Sequence, residues 1–194
     1  MNKGVILFLS LFSSACSGSV PSNNLTLFEQ CSGKSVTSEH AIMACEAIMQ
    51  STDSGSIDHV YAVFNRGRAY FNLSEFQKSI DDFSSVIALK PEEHAAYASR
   101  GVSYGTMGDT MRAAADFEMA VRLNKNDDVS FANLGLSYEK LMEFDKSFKA
   151  LNASLSINPD NLPALAERCW VRAILGTELD QAIADCDRAI KISP

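Results

Sequence analysis

The 194-residue sequence lacks the features that mark nucleic-acid-binding and metal-binding proteins. It has 17 basic residues against 24 acidic ones, a net charge of −7, and no cluster of Lys and Arg. Because phosphate neutralisation dominates the affinity of proteins for nucleic acids, this composition argues against a nucleic-acid partner. The three histidines, His40, His59 and His94, are isolated and have no second ligand at helical spacing. The sequence therefore predicts no metal site.

Catalytic and cofactor signatures are missing as well. There is no Cys-x-x-Cys motif, and Gly101, Gly105 and Gly108 lack the strand and the Lys-Ser/Thr pair of a phosphate loop. No Ser/His/Asp or Cys/His constellation has a local signature. No run of alternating β-branched residues predicts a strand. We therefore expect an all-α protein that is not an enzyme and that binds no cofactor or small-molecule substrate.

Residues 1–16 have the plan of a bacterial export signal. Lys3 gives a positive start, residues 5–12 form an apolar run, and small residues at 13–15 precede Cys16. The run is far shorter than the ~20 residues that span a bilayer. No other apolar stretch is long enough to cross a membrane. A buried N-terminal strand or helix is the alternative interpretation.

The end of this segment, Ser13-Ser14-Ala15-Cys16, resembles the lipobox of bacterial lipoproteins, although the usual box has Leu where Ser13 stands. The resemblance implies cleavage and lipidation at Cys16, with ordinary cleavage near Ala15 as the alternative. Ser17 after the cysteine implies the outer membrane of a Gram-negative cell. Residues 17–36 are predicted to be a flexible tether and an irregular segment, since residues 17–24 are polar.

A pattern that occurs three times organises the rest of the chain. Residues 65–70, 99–104 and 133–138 each contain a central Gly and a final Tyr, and the copies stand 34 residues apart. A period of this length indicates stacked supersecondary units. Gly within a helix costs about 1 kcal/mol relative to Ala. The recurrence of Gly67, Gly101 and Gly135 therefore predicts a second helix that lies too close for a larger side chain. That helix offers small residues at Ser79, Ala113, Ser147 and Ala182.

This pattern resembles the tetratricopeptide repeat, a helix–turn–helix unit of 34 residues. The resemblance implies a right-handed α-solenoid of about four repeats at residues 60–93, 94–127, 128–161 and 162–194, the last of them divergent. Residues 37–59 are predicted to form a degenerate N-terminal half-repeat, with a capping helix at 37–50 and a loop. The last repeat has no comparable cap, so we expect its outer apolar face to be uncovered.

Three of the four repeats contain an Arg followed by an Asp 16 or 17 residues later: Arg66 with Asp82, Arg100 with Asp116, and Arg168 with Asp185. The third repeat has Leu134 and Ala150 in these two places. Because both residues are lost together, we predict an ion pair across each helix hairpin rather than an anion-binding site.

If Cys16 carries a lipid, four cysteines remain. Cys169 and Cys186 face each other across the last predicted hairpin. Cys45 occupies the place of Cys186 in the N-terminal unit, whose stunted first half at residues 23–31 contains Cys31. In an exported protein this even number predicts two disulfides, Cys31–Cys45 and Cys169–Cys186, although three pairings are possible. Buried free thiols are the alternative.

The family resemblance also implies where a partner binds. In tetratricopeptide-repeat proteins the first helices line a concave surface, and repeat positions 2, 5, 9 and 12 usually point into it. In this chain those positions form a mainly apolar floor with two charged residues. The candidate partner-binding residues of this surface are Tyr61, Phe64, Arg68, Phe71, Val102, Leu136, Glu139 and Trp170. The Lys and Asn of the family's carboxylate clamp are absent. Packing between repeats is the alternative role for Phe64 and Trp170.

These observations predict a non-catalytic protein–protein interaction scaffold. We expect a membrane-anchored lipoprotein that faces the periplasm and holds a peptide or protein partner in its groove, with a soluble periplasmic protein as the alternative location. A second hypothesis is a structural module that self-assembles into a homo-oligomer through its uncapped C-terminal repeat.

Overall fold

Ten α-helices follow one another along residues 26–193, the part of the chain that this computed structural model describes, and no strand occurs among these residues. The helices are α1 Leu27–Cys31, α2 Ser38–Ser51, α3 Ile57–Asn72, α4 Phe76–Leu89, α5 His94–Thr106, α6 Thr110–Leu123, α7 Asp128–Lys140, α8 Phe144–Ile157, α9 Leu162–Leu175 and α10 Leu179–Ile192. The predicted signal segment, Cys16 and residues 17–25 of the predicted tether lie outside the described residues.

The helices stack as a solenoid. Each helix packs against the next along the chain, and α3, α5, α7 and α9 also contact one another in that order, so the first helices of successive hairpins form a continuous row. The predicted all-α solenoid is confirmed. The helix predicted at residues 37–50 is α2, and Thr37 caps it by accepting a hydrogen bond from the backbone N–H of His40.

A short helix occupies part of the segment predicted to be irregular. α1 begins after Thr26, which forms a capping box with Glu29, and it packs against α2 and α3. Its last residue, Cys31, is buried and is bonded to Cys45 of α2. The alignment of residues 37–50 with the second helix of a repeat predicts a stunted first half-unit at residues 23–31, and α1 lies within that range.

The repeated glycines lie where the two helices of a hairpin come closest. A Cβ atom added to Gly101 would stand 3.0 Å from a ring carbon of Phe117, and one added to Gly135 would stand 2.6 Å from Cγ of Leu151. Gly67 has the same relation to Phe83, at 3.1 Å. The predicted close approach of the two helices is confirmed. The side chain that excludes a larger residue at the glycine position is the large residue of the second helix, Phe83, Phe117 or Leu151, rather than the small residue predicted there.

The predicted Arg–Asp pairs are present in all three repeats that contain them. Arg100 donates two hydrogen bonds to the Asp116 carboxylate, from Nε at 2.8 Å and from Nη2 at 2.7 Å. Its third nitrogen, Nη1, donates to the Ser84 hydroxyl of the preceding hairpin at 3.0 Å. Arg66 and Arg168 bind their aspartates through the same two nitrogens. Each arginine therefore joins the two helices of its own hairpin. Arg100 and Arg168 also join their hairpins to the preceding one, because Arg168 Nη1 donates to Asn152 Oδ1 of α8 at 2.7 Å.

The third repeat replaces the ion pair by apolar contact. Leu134 and Ala150 are both 6% exposed, and they lie in one buried cluster with Phe117 of the preceding hairpin. A bidentate ion pair and a Leu–Ala contact are thus alternative solutions to one packing problem.

We predict that Arg100→Leu lowers the free energy of unfolding by about 3–5 kcal/mol, because it leaves the Asp116 carboxylate buried without its cation. Adding Asp116→Ala recreates the Leu–Ala pair of the third repeat and recovers a large part of that loss. Urea unfolding of the two single variants and the double variant measures the coupling between the residues. A coupling energy of zero would contradict the assignment.

Candidate partner-binding groove

The row of first helices carries every predicted partner-binding residue. We call the surface formed by α3, α5, α7 and α9 the first-helix groove. Tyr61, Phe64, Arg68 and Phe71 lie on α3, and the remaining residues are Val102 on α5, Leu136 and Glu139 on α7, and Trp170 on α9. The groove therefore runs across all four hairpins.

A pocket of about 460 Å³ lies at the α3 end of this groove. Tyr61, Phe64 and Arg68 line it, as the sequence predicts for residues that face a partner. The rest of its wall is mainly apolar and comes from three further places: Ile57 and Val60 of α3, Val86 of α4, and Ala95 of α5, with Ser32, Asn65 and Glu93 at polar positions. The structure thus brings three of the eight predicted residues into one cavity.

A smaller hollow of about 250 Å³ lies between α5 and α7. Val102 and Leu136 line it together with Phe117, so the structure brings these two predicted residues together as well. Lys140 at the end of α7 is its charged lining residue. The first-helix groove therefore offers a mainly apolar pocket at α3 and, further along, a hollow of mixed polarity.

Two of the predicted aromatics have packing roles. The Phe64 ring lies 5.4 Å from the Phe83 ring, so Phe64 belongs to the core as well as to the pocket wall. Phe71 packs against Phe76 of α4 at the same centroid distance. Trp170 differs from both, because 56% of its surface is exposed. The alternative of packing between repeats therefore fits Phe64 and does not fit Trp170.

Arg68 is held at the pocket by a neighbour that the sequence patterns did not single out. Asn65 is only 5% exposed, and its side-chain amide donates to the Tyr61 carbonyl at 3.0 Å. The Asn65 Oδ1 atom accepts a hydrogen bond from Arg68 Nη1 at 3.3 Å. Within residues 26–193 Arg68 makes no ion pair with a carboxylate, unlike the three arginines of the hairpin pairs. The pocket therefore presents an exposed cation beside an apolar wall.

The pocket is closed on its N-terminal side by α1. The Tyr61 hydroxyl donates to the Phe28 carbonyl at 3.4 Å, and the rings of these residues lie 5.7 Å apart. Both side chains keep about two-fifths of their surface exposed. This contact links α1 to the residue at the pocket rim.

Two carboxylates lie close together on α7 and α9. Burial raises the pKa of Glu167, and the nearby Glu139 carboxylate raises it further, while Lys140 acts in the other direction. Glu167 was absent from the predicted site, because position 6 of the repeat is not among the positions that usually face the groove. Charged residues thus occur at both ends of the row: Arg68 and Glu93 line the pocket at α3, and Glu139, Lys140 and Glu167 lie near one another on α7 and α9.

Both predicted cysteine pairs are joined in the structure. The sulfur atoms of Cys31 and Cys45 lie 2.12 Å apart, and those of Cys169 and Cys186 lie 1.96 Å apart. The second bond occupies the position at which the other hairpins place a glycine against a large side chain. Neither cysteine pair faces the two groove pockets.

Residues 26–193 contain no group of three or more His, Cys, Asp or Glu side chains arranged to hold a metal ion. Among the ten described helices, none combines the length and the apolar character that a membrane span requires.

A sequence model of the tetratricopeptide repeat matches residues 60–93 and 130–161. The chain therefore contains tetratricopeptide repeats. The two matched segments cover most of the first and third hairpins, α3–α4 and α7–α8. No curated protein matches the chain in sequence.

Solved tetratricopeptide-repeat structures share the fold. A MamA structure from Desulfovibrio magneticus RS-1 is 16% identical, with 85% of this chain and 90% of that chain covered and a TM-score of 0.73. Another MamA crystal structure is 21% identical over 79% of this chain and 87% of that one, with a TM-score of 0.70. YrrB, described as a TPR protein with an unusual peptide-binding site, is 19% identical over 81% and 78%, with a TM-score of 0.66. At these identities the likeness is one of fold.

Proposed function

We propose that this chain is a non-catalytic scaffold that binds a peptide or a protein segment in its first-helix groove. The observation that carries the proposal is the pocket of about 460 Å³ with Arg68 exposed at its rim. Its size falls within the range of about 300–1,000 Å³ that ligand sites occupy, and its wall is mainly apolar with few polar groups, as in such sites.

The remainder of the groove extends this pocket in a form that suits a chain molecule. The hollow that contains Val102 and Leu136 among polar residues, and the exposed Trp170, add further apolar contact points on α5, α7 and α9. Exposed Trp and Arg are the residue types that contribute most to protein interfaces. A partner segment with apolar side chains at intervals, an acidic group near Arg68 and a basic group near Glu139 and Glu167 would match the groove. The peptide-binding site named for the fold neighbour YrrB is consistent with this use.

We predict that Arg68→Ala and Trp170→Ala each weaken binding of groove ligands by at least about tenfold, or about 1.4 kcal/mol. Peptides selected from a displayed random library on the unaltered protein supply the ligands, and fluorescence anisotropy gives Kd. Both side chains are exposed, so these changes leave folding intact, whereas Phe64→Ala would also remove the packing on Phe83. Met142→Ala is the matched control, because Met142 is 74% exposed and lies in the turn between α7 and α8. Unchanged affinity in both groove variants would reject the groove.

We also propose that the protein is exported and is anchored by a lipid on Cys16, so that the repeats face the periplasm from the outer membrane. The order of residues 1–17 supports this location. The two cysteine pairs support it independently, because disulfides persist in oxidising compartments such as the periplasm. A soluble periplasmic protein is the alternative.

Metabolic labelling with a fatty acid is expected to mark the wild-type protein and to leave Cys16→Ala unlabelled. Ser17→Ala is the control and keeps the label, because it retains the thiol that carries the lipid. The lipid anchor would be rejected in favour of ordinary cleavage if the wild-type protein is unlabelled and mass spectrometry places its mature N-terminus near residue 16.

A further inference from the structure

The disulfide between Cys31 and Cys45 holds the shortest helix of the described chain in place. Helix α1 has five residues, and isolated helices shorter than about 12–15 residues are marginal in water. Its last residue, Cys31, is 1% exposed and is bonded to Cys45 of α2, which is 0% exposed. Both cysteines lie in one buried cluster with Ile48 of α2 and Ala62 of α3. The position of α1 therefore depends on this bond and on the cluster around it.

The end of α1 is joined to the wall of the groove pocket. Ser32, which follows Cys31 directly, lines the pocket of about 460 Å³. Its hydroxyl donates to the Glu29 carbonyl of α1 at 2.6 Å. The disulfide thus lies one residue away from a lining residue of the pocket.

Helix α1 also extends the apolar rim of this pocket. The Phe28 ring contacts the Tyr61 ring, and each side chain is about two-fifths exposed. Ile57, a lining residue on α3, is 82% exposed. Exposed apolar side chains that lie together beside a cavity are typical of an interaction surface. A partner segment that fills the pocket and covers Tyr61 would also reach Phe28.

The segment after α1 approaches the cation of the pocket from the other side. A second hollow, of about 150 Å³, lies between this segment and α3. Cys31, Ser32 and Gly33 line it on one side, and Asn65 and Arg68 line it on the other. Asn65 and Arg68 line the larger pocket as well. Arg68 therefore lies between the groove pocket and the segment that the disulfide holds.

The other disulfide lies away from this pocket. Cys169 and Cys186 join α9 and α10, two helices of 14 residues each, and neither cysteine lines either groove pocket. Loss of this bond removes no wall of the pocket at α3. The chain thus contains a matched pair of bonds, one beside the pocket and one remote from it.

We propose that α1 is part of the partner-binding site, with Phe28 as a contact residue and the Cys31–Cys45 disulfide as the bond that positions α1, Ser32 and Arg68. The occupant is the partner segment proposed for the first-helix groove, so the inference rests on that function and extends its surface beyond α3. An apolar side chain of this segment lies over Phe28 and Tyr61.

The contact role is tested with peptides selected on the unaltered full chain, and fluorescence anisotropy gives Kd. Phe28→Ala is expected to weaken binding by about five- to tenfold, because it removes apolar surface that the partner covers. Met43→Ala is the matched control and keeps the wild-type affinity, since Met43 is 66% exposed on α2 and lines neither groove pocket.

The positioning role is tested by removing each disulfide in turn. Cys31→Ser combined with Cys45→Ser is expected to weaken binding by at least about tenfold, because α1 and the segment after it must then be ordered when the partner binds. Cys169→Ser combined with Cys186→Ser is the control and changes the affinity by less than about twofold. Circular dichroism verifies that each variant is folded.

A further comparison separates positioning from a loss of stability. In the variant without the Cys31–Cys45 bond, Arg68→Ala is expected to weaken binding less than it does in the unaltered protein, whereas Trp170→Ala keeps its full effect. A loss of stability alone lowers every affinity by the same factor, so it would leave both effects unchanged.

Three results would overturn the inference. The first is wild-type affinity in Phe28→Ala or in the variant without the Cys31–Cys45 bond. The second is an equal loss of affinity in the two cysteine variants, and the third is a full effect of Arg68→Ala in the absence of the bond. In each case the effects of Arg68→Ala and Trp170→Ala in the unaltered protein still decide separately whether the groove is the binding site.

Discussion

The contact between a glycine of one helix and a large side chain of the next determines the geometry of this protein. A Cβ added to Gly101 would stand 3.0 Å from the Phe117 ring, and one added to Gly135 would stand 2.6 Å from Leu151, so neither site takes a larger residue without a shift of its neighbour. Because interiors are packed to crystal-like density, such a contact constrains how near the two helices lie. Repeating it every 34 residues in the first three hairpins gives them similar geometry, and they stack into the row of helices that forms the groove.

The other contacts that recur between the hairpins depend on this spacing of the helices. Arg100 binds the Asp116 carboxylate with two nitrogens and the Ser84 hydroxyl of the preceding hairpin with the third. These three hydrogen bonds form together only when the three helices involved are correctly placed. The fourth hairpin uses a covalent substitute, since the Cys169–Cys186 bond stands where the others place glycine and a large side chain. Ion pair, apolar pair and disulfide are thus different means of joining the same helices.

The sequence predicted most of the contacts that recur between repeats and fewer of the features that occur at one place in the chain. The solenoid, the close approach at the glycines and the Arg–Asp pairs were all evident, because copies of one pattern reveal which residues change together. The sequence predicted the pocket residues on α3, Tyr61, Phe64 and Arg68. It did not predict Val86 and Ala95, because they reach the pocket from other helices and no local pattern places them there. Asn65 was missed because its role is to hold Arg68 through a side-chain hydrogen bond.

The way in which the divergent fourth hairpin accommodates its departures from the repeat is visible only in the structure. Arg172 replaces the tyrosine of the other copies, and it is buried against Asp185 at 2.5 Å with its guanidinium over the Phe148 ring. The inserted residue is accommodated in the turn, where Glu178 has a φ of 50°. Neither compensation can be read from the repeat pattern, because each arises from a departure that occurs in one copy.

A comparison of two glycines tests the central claim most directly. Gly135→Ala introduces a Cβ 2.6 Å from Leu151, whereas Gly105→Ala introduces one at an ordinary 3.7 Å from Ala113. Urea unfolding is expected to show Gly135→Ala destabilised by about 1–3 kcal/mol through overpacking. Gly105→Ala is expected to gain up to about 1 kcal/mol from helix propensity. Equal stabilisation of both variants would contradict the account, because it would mean that the glycine contact does not set the spacing of the helices.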